Sequence, residues 1–402
     1  MTIYHEFTQA EAVEYARGIE DVFPDGAQLK LLEIGDGNLN NVFHISDPAS
    51  GRSLILKQAL PYAKMIGESV PLTLDRVRIE CEALRIQGEL CPDLTPKVYA
   101  YEPDFALIVM EDLSDHIVMR RGLMEKVRFP MFARRIGSFL AHTLFFTSDL
   151  AMDQQEKKLQ VKAFINPELC SISEDLIFYA PYTKSRMNIF EPSILDAVER
   201  IWADTELHLE VMLLREKFLT KAQAMLHGDL HTDNIFIKPY SSKVIDPEFA
   251  YYGPMGFDIG TVIGNLLLNY SGQEGWSPDE QERLDYRRYL LDTVCDFWAQ
   301  FELQFRELWN SHAADRMAKT QGYQDLYVAN LLQDTIGFAG IIMLCRVYGF
   351  IHVADIDHIE DAAVRERAQR IALEIGTALI KRNRSARTIE EVMDIALQSC
   401  KQ

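Results

Sequence analysis

The feature that most constrains this chain is a change of character near residue 113. Residues 28–112 read mainly as strands: NVFHI, SLILKQA and FALIVME are rich in β-branched and aromatic residues, and DPASG is a turn between the first two. One helical pattern interrupts them, TLDRVRIECEALRIQGEL from Thr73. Beyond Leu113 long amphipathic helices take over, as in PMFARRIGSFLAHTLFF and ELHLEVMLLREKFLTKAQAML. Only NIFIKPYSSKVIDPEF, residues 234–249, breaks them, with an expected hairpin. At 402 residues the chain exceeds one typical domain. An α+β fold is predicted, with a β-rich N-terminal lobe (1–113) and a mainly helical C-terminal lobe (114–402), joined near EDLSD.

Composition narrows the class. Hydrophobic residues at 48% and charged residues at 25% describe an ordinary globular protein. With 41 Lys plus Arg against 60 Asp plus Glu, the net charge of −19 argues against nucleic acid or an anionic membrane as the main partner. The six cysteines are scattered without a C-x-x-C, as expected for free thiols in a reducing cytoplasm. The N-terminal segment lacks a signal-peptide pattern, and Thr8 with Glu11 forms a capping box opening a short helix. The longest apolar run, IGFAGIIMLC, stops at Arg346 and falls short of the roughly 20 residues a bilayer requires. A cytoplasmic protein without membrane contact is expected.

The chemistry concentrates in HGDLHTDN and KVIDPEF. Asp246 and Glu248, two apart in extended chain, point to one side. With the amide oxygen of Asn234 they offer hard ligands suited to Mg²⁺ carrying nucleotide phosphates. Asp229 is then left to accept a proton from a substrate hydroxyl. Upstream, Gly35 and Gly37 lie in a loop, G-x-G-x-x-N-x-V, that reads either as a plain hairpin turn or as a place where backbone amides could approach phosphate oxygens. Asn40 occupies the third-glycine position. Lys57 follows one hairpin later, placed to meet phosphates; Glu80 is preferred over Glu82 as the anion that orients it. The strand end Glu111, Asp112 and Leu113 could read an adenine edge. No Walker A motif is present. A second reading makes His227, Asp229 and His231 ligands of a hydrolytic metal, but leaves the glycine loop and Lys57 unexplained. A phosphoryl-transfer site uses all of these residues in one order.

Together, G-x-G-x-x-N-x-V, Lys57, HGDLH and D-x-E resemble the aminoglycoside phosphotransferase and choline kinase group, which has a protein-kinase-like fold. GDGNLN, LKQALPY, GESVPLTLDR, VMEDLSDH, FINPELCSISEDL, DPEFAYYGPMGFDIG and HVADID are more narrowly similar to the methylthioribose kinases across nearly the full chain. The resemblance implies ATP and Mg²⁺, with Gly35, Gly37, Asn40, Lys57, Glu111, Asp112, Leu113, Asp246, Pro247 and Glu248 on the nucleotide side. It makes Asp229 the catalytic base, Arg346 a sugar-binding residue, and Asn234, Asp246 and Glu248 the metal ligands. It further implies a homodimer acting on methylthioribose in methionine salvage. Val70 stands where the family usually has tryptophan, and Asp233-Asn234 where it commonly has Gly-Ser. Those departures keep open a related acceptor such as 5-deoxyribose, choline or an aminoglycoside, and a nucleotide-binding protein without catalysis is the remaining rival. Arg346 also stands out unaided: a guanidinium in the apolar run IIMLCRVYGFIHVA needs a partner, and an internal ion pair would serve as well as a ligand.

Overall fold

The computed structural model describes residues 4–34, 40–63 and 67–400, with only the backbone of residues 63 and 67–70. Gly35 and Gly37 lie outside the described residues, as does the side chain of Val70.

Strands β1 (Lys30–Ile34), β2 (Asn40–Asp47), β3 (Arg52–Ala59), β4 (Val98–Glu102) and β5 (Leu107–Glu111) form one antiparallel sheet in the order β1-β2-β3-β5-β4. Strand alternation sorts its faces. Leu54 and Leu56 of β3 pack with Phe43, Leu107 and Val109 beneath α1 (Gln9–Arg17). Thr8 and Glu11 make the expected capping box on that helix. Ile55 and Ala59 face the other way, toward Val77, Cys81 and Leu84 of α2 (Arg76–Leu90). Lys57 shares that second face, so its ammonium group meets α2.

The rest of the chain is largely helical. It includes α3 (Met119–Met124), α4 (Phe132–Phe146), α5 (Gly256–Trp276), α6 (Glu280–His312), α7 (Tyr323–Tyr348) and α8 (Ala362–Arg382) around one large apolar core. Helices α5 and α7 lie close because Gly260 presents no side chain; a Cβ there would stand 2.7 Å from the Thr335 carbonyl oxygen. Helix α7 is apolar enough to cross a membrane by composition, but its most apolar window is 83% buried in the protein interior. The expected hairpin is present as β6 (Ile235–Lys238) and β7 (Ser241–Val244).

One helix stops short of its apolar pattern. The segment expected to stay helical through Leu226 ends at Thr220. Ala224 and Met225 pair instead with Tyr252 and Gly253, because tertiary strand pairing outweighs helix propensity there. That bridge fixes the start of the loop bearing Asp229 against the segment that follows Glu248.

Candidate active site

Two loops of the helical part meet the sheet. The first, residues 227–234, is shaped from within. Gly228 has φ +82°, and a Cβ there would lie 2.2 Å from the Phe249 carbonyl oxygen, so glycine is required. The ring of His227 accepts the Asp229 N–H at Nδ1 (3.3 Å) and donates from Nε2 to the Ile245 carbonyl (2.8 Å). With both nitrogens engaged by backbone, His227 braces the loop.

Sequence reasoning missed Asp258, near the start of α5. Its carboxylate accepts from the backbone N–H groups of His227 (2.6 Å) and Gly228 (3.0 Å). Burial pushes its pKa up to about 7, although those two N–H groups favour the anion. A carboxyl whose folded pKa is raised contributes stability at pH values below its unfolded value, lost as pH rises through about 7. Between pH 5 and 8 the melting temperature of the wild type should therefore fall relative to that of Asp258→Asn. A constant difference across that range in scanning fluorimetry would contradict this origin of the shift.

The Asp229 carboxylate lies between Arg346 and His231. Arg346 Nη2 donates to Oδ1 at 3.2 Å, and His231 Nε2 stands 3.3 Å from Oδ2. Burial alone would raise its pKa, but His231 and Arg346 overcome it and hold Asp229 well below the usual carboxylate range. Burial opposes charge on His231, yet Asp229 outweighs it and raises the imidazole pKa. The internal ion pair expected for Arg346 is present, and its partner is Asp229. The Asn234 side chain donates to the Asp229 carbonyl oxygen (2.9 Å), closing the loop on itself.

The second loop carries Asp246, Pro247 and Glu248. Asp246 adopts φ +66°, a left-handed conformation that Asp tolerates better than most residues. Its carboxylate pairs with Lys57, whose ammonium also lies 2.8–2.9 Å from the two oxygens of Glu80. Glu80 is thus the partner of Lys57, while Glu82 pairs with Arg78 at 2.9 Å. Burial opposes the charge on Lys57, but Asp246 and Glu80 raise its pKa above the ordinary lysine value.

Arg76, fully buried at the start of α2, was not anticipated. It donates to Glu248 (3.1 Å), to Asn40 (2.9 Å) and to the carbonyls of Leu60 (2.8 Å) and Thr73 (2.9 Å). Asn40, expected to contact ATP, turns its side-chain oxygen to Arg76. Asp112 is likewise engaged internally, by His44 (3.0 Å), Ser53 (2.6 Å) and Ser114 (3.0 Å). Glu111 accepts from the Lys97 N–H and from Lys243. Leu113 is buried, and its carbonyl accepts from the His116 N–H.

Ligand atoms of Glu80, Asp246 and Glu248 lie within 4.8 Å of one another. Among the described residues this is the one convergent group of at least three His, Cys, Asp or Glu side chains. His227, Asp229 and His231 do not converge in that way, so the hydrolytic-metal ligand set is not formed. Carboxylate oxygens such as those of Asp246 and Glu248 suit a hard divalent ion such as Mg²⁺, while Glu80 is held by Lys57.

A carboxylate on a braced loop, a lysine–glutamate pair and a carboxylate cluster, set between a twisted sheet and a helical body, define a kinase-like phosphotransferase. Residues 30–289 match the family described as "Phosphotransferase enzyme family". The chain is 43% identical to "Methylthioribose kinase" of Geobacillus sp. (strain WCH70), over 99% of this chain and 97% of that one. It is 44% identical to "Methylthioribose kinase" of Yersinia pseudotuberculosis serotype O:3 (strain YPIII), over 94% and 93% of the two chains. Among solved structures, a choline kinase from Cryptosporidium parvum Iowa II aligns over 98% of this chain and 96% of that one, at 11% identity and a TM-score of 0.48. The chain belongs to the methylthioribose kinase family.

Proposed function

We propose that the protein transfers the γ-phosphoryl group of ATP to the 1-hydroxyl of S-methyl-5-thioribose, a step of methionine salvage. The observation that carries this reading is the Asp229–Arg346 pair, which offers an acceptor for a hydroxyl proton beside a cation for sugar oxygens. In the transfer, the acceptor oxygen bonds to the γ-phosphorus as the bridging bond to ADP breaks, and the hydroxyl proton passes to Asp229. Lys57, held by Glu80, addresses the nucleotide phosphates, and residues 111–113 supply backbone for the adenine. Asp246 and Glu248 hold Mg²⁺, with Asn234 available from the first loop. The ion neutralises phosphate charge when bound. The lobes divide at residues 113 and 114, so both loops that carry these groups belong to the helical lobe. The cysteines are free thiols, in keeping with a reducing cytoplasm.

A cationic acceptor fits less well, because Arg346 would repel it. Methylthioribose is neutral, and its hydroxyls can accept from Arg346 while one donates to Asp229. A coupled ADP-release assay against methylthioribose, 5-deoxyribose, ribose, choline and kanamycin should show methylthioribose as the preferred acceptor. Good turnover of choline or kanamycin with none of methylthioribose would sink the assignment. In the same assay Arg346→Ala should lower kcat/KM for the sugar about 10- to 100-fold, the range for losing a hydrogen bond from a charged group, with KM for ATP little changed.

A further inference from the structure

The loop bearing Asp229 is fastened to one helix at both ends. Asp258 of α5 takes the backbone N–H groups of His227 and Gly228. Seven residues on, about 10.5 Å along the same helix face, Asn265 accepts from Arg120 Nη2 at 2.8 Å. Arg120 reaches from α3 and is 3% exposed; its Nη1 pairs with the fully buried Asp355, and its Nε donates to Asp233 at 2.5 Å. Asp355 is fixed in turn by Asn269 of α5 at 2.7 Å and, through its carbonyl oxygen, by Trp276 at 2.7 Å.

The buried cation is therefore already compensated without Asp233: Asp355 supplies the opposite charge and Asn265 a further acceptor. Asp233 differs from both, because its side chain is 47% exposed. Its carboxylate also stands 3.5 Å from His231 Nδ1, which accepts the Asp233 backbone N–H at 3.2 Å, while the opposite nitrogen of that ring faces Asp229 at 3.3 Å. Asp233 thus lies between a rigid buried guanidinium and the imidazole that flanks the proposed base.

We infer that Asp233 is a positioning residue: through it, Arg120 sets the orientation of His231 and hence of the Asp229 carboxylate. The inference rests on the proposed role of Asp229. Orientation matters because a misplacement of about 1 Å at a reacting group can cost on the order of 100-fold in rate. Arg120 is unsuited to the first test, since its loss would strand Asp355 in the core. Asp233 can be removed while the buried Arg120–Asp355 pair stays intact.

The experiment compares wild type, Asp233→Ala and Asp233→Asn in steady-state kinetics, with whichever alcohol of the panel above the wild type phosphorylates best. Asp233→Ala should lower kcat about 10-fold, with KM for ATP and melting temperature close to wild type. Asp233→Asn, which keeps an oxygen for Arg120 Nε, should recover most of the loss. Unchanged kcat in Asp233→Ala overturns the inference, and so does a fall in kcat matched by a fall in melting temperature and unrelieved by asparagine. A readout independent of turnover is the His231 ring resonance of ¹³C-histidine-labelled protein, assigned by its disappearance in His231→Gln. It should shift in Asp233→Ala, and an unmoved resonance counts against the relay even if no acceptor is found. A wild type inactive toward methylthioribose would instead strike at the substrate reading and leave the His231 result standing.

Discussion

Asp229→Asn should retain the fold and ATP binding while losing turnover by at least roughly 10²–10⁴-fold, the range for removing a general base. The structure adds a reason to expect more. Asp229 is held well below the usual carboxylate range by His231 and Arg346, so it is a weak base in the resting site. Its contribution then lies largely in orienting the hydroxyl and accepting the proton late, when the transferring group is already loosely bound. Asparagine keeps one oxygen that can accept from Arg346 or His231 but presents an N–H₂ to the other partner. That mismatch turns the group that should face the hydroxyl. Single-turnover kinetics with saturating ATP would measure the chemical step directly. Near-normal kcat in Asp229→Asn would remove this residue from the mechanism. His227→Ala should be milder, because the His227 ring hydrogen-bonds only to backbone, at the Asp229 N–H and the Ile245 carbonyl.

Much of this site was legible where local periodicity decides geometry. Strand parity alone put Leu54 and Leu56 on one face and Lys57 on the other, toward the following helix. There Glu80 was available, and Glu82 was already claimed by Arg78 one helical turn away. Arg346 was noticed because a guanidinium within an apolar run demands a partner; which carboxylate would answer, 117 positions earlier, was not readable. Asp258 could have been found by the same logic, as a lone acid in the apolar stretch GFDIG. Arg76 gave no such signal: it opens a helix with an ordinary charged pattern. Its burial arises only when the sheet, α2 and the Glu248 loop close together, across separations of 36 and 172 residues. The helix that stops at Thr220 shows the same limit, since what ends it is a strand partner at Tyr252 and Gly253.

Asp246→Asn should abolish Mg²⁺-dependent turnover, and added Mg²⁺ should rescue it poorly. Asparagine is the informative replacement because position 246 has φ +66°, which asparagine tolerates and alanine resists. A loss of activity then reports the missing charge rather than a strained backbone. The fold should persist, since Lys57 keeps its partner Glu80 and Glu248 keeps Arg76. What disappears is one of the three carboxylates whose oxygens converge. Glu80 cannot substitute for it, being committed to Lys57, and Glu248 is shared with a buried guanidinium that already offsets its charge. The ion would retain too few free anionic ligands to stay fixed while phosphate charge moves from ATP to the acceptor. A lost ligand that merely weakened metal affinity would give a titration curve displaced to higher Mg²⁺ with the same plateau. The expected result is a collapsed plateau, measured as initial rate against MgCl₂ at saturating ATP and acceptor. A plateau near the wild-type rate would show that Asp246 serves Lys57 rather than the metal.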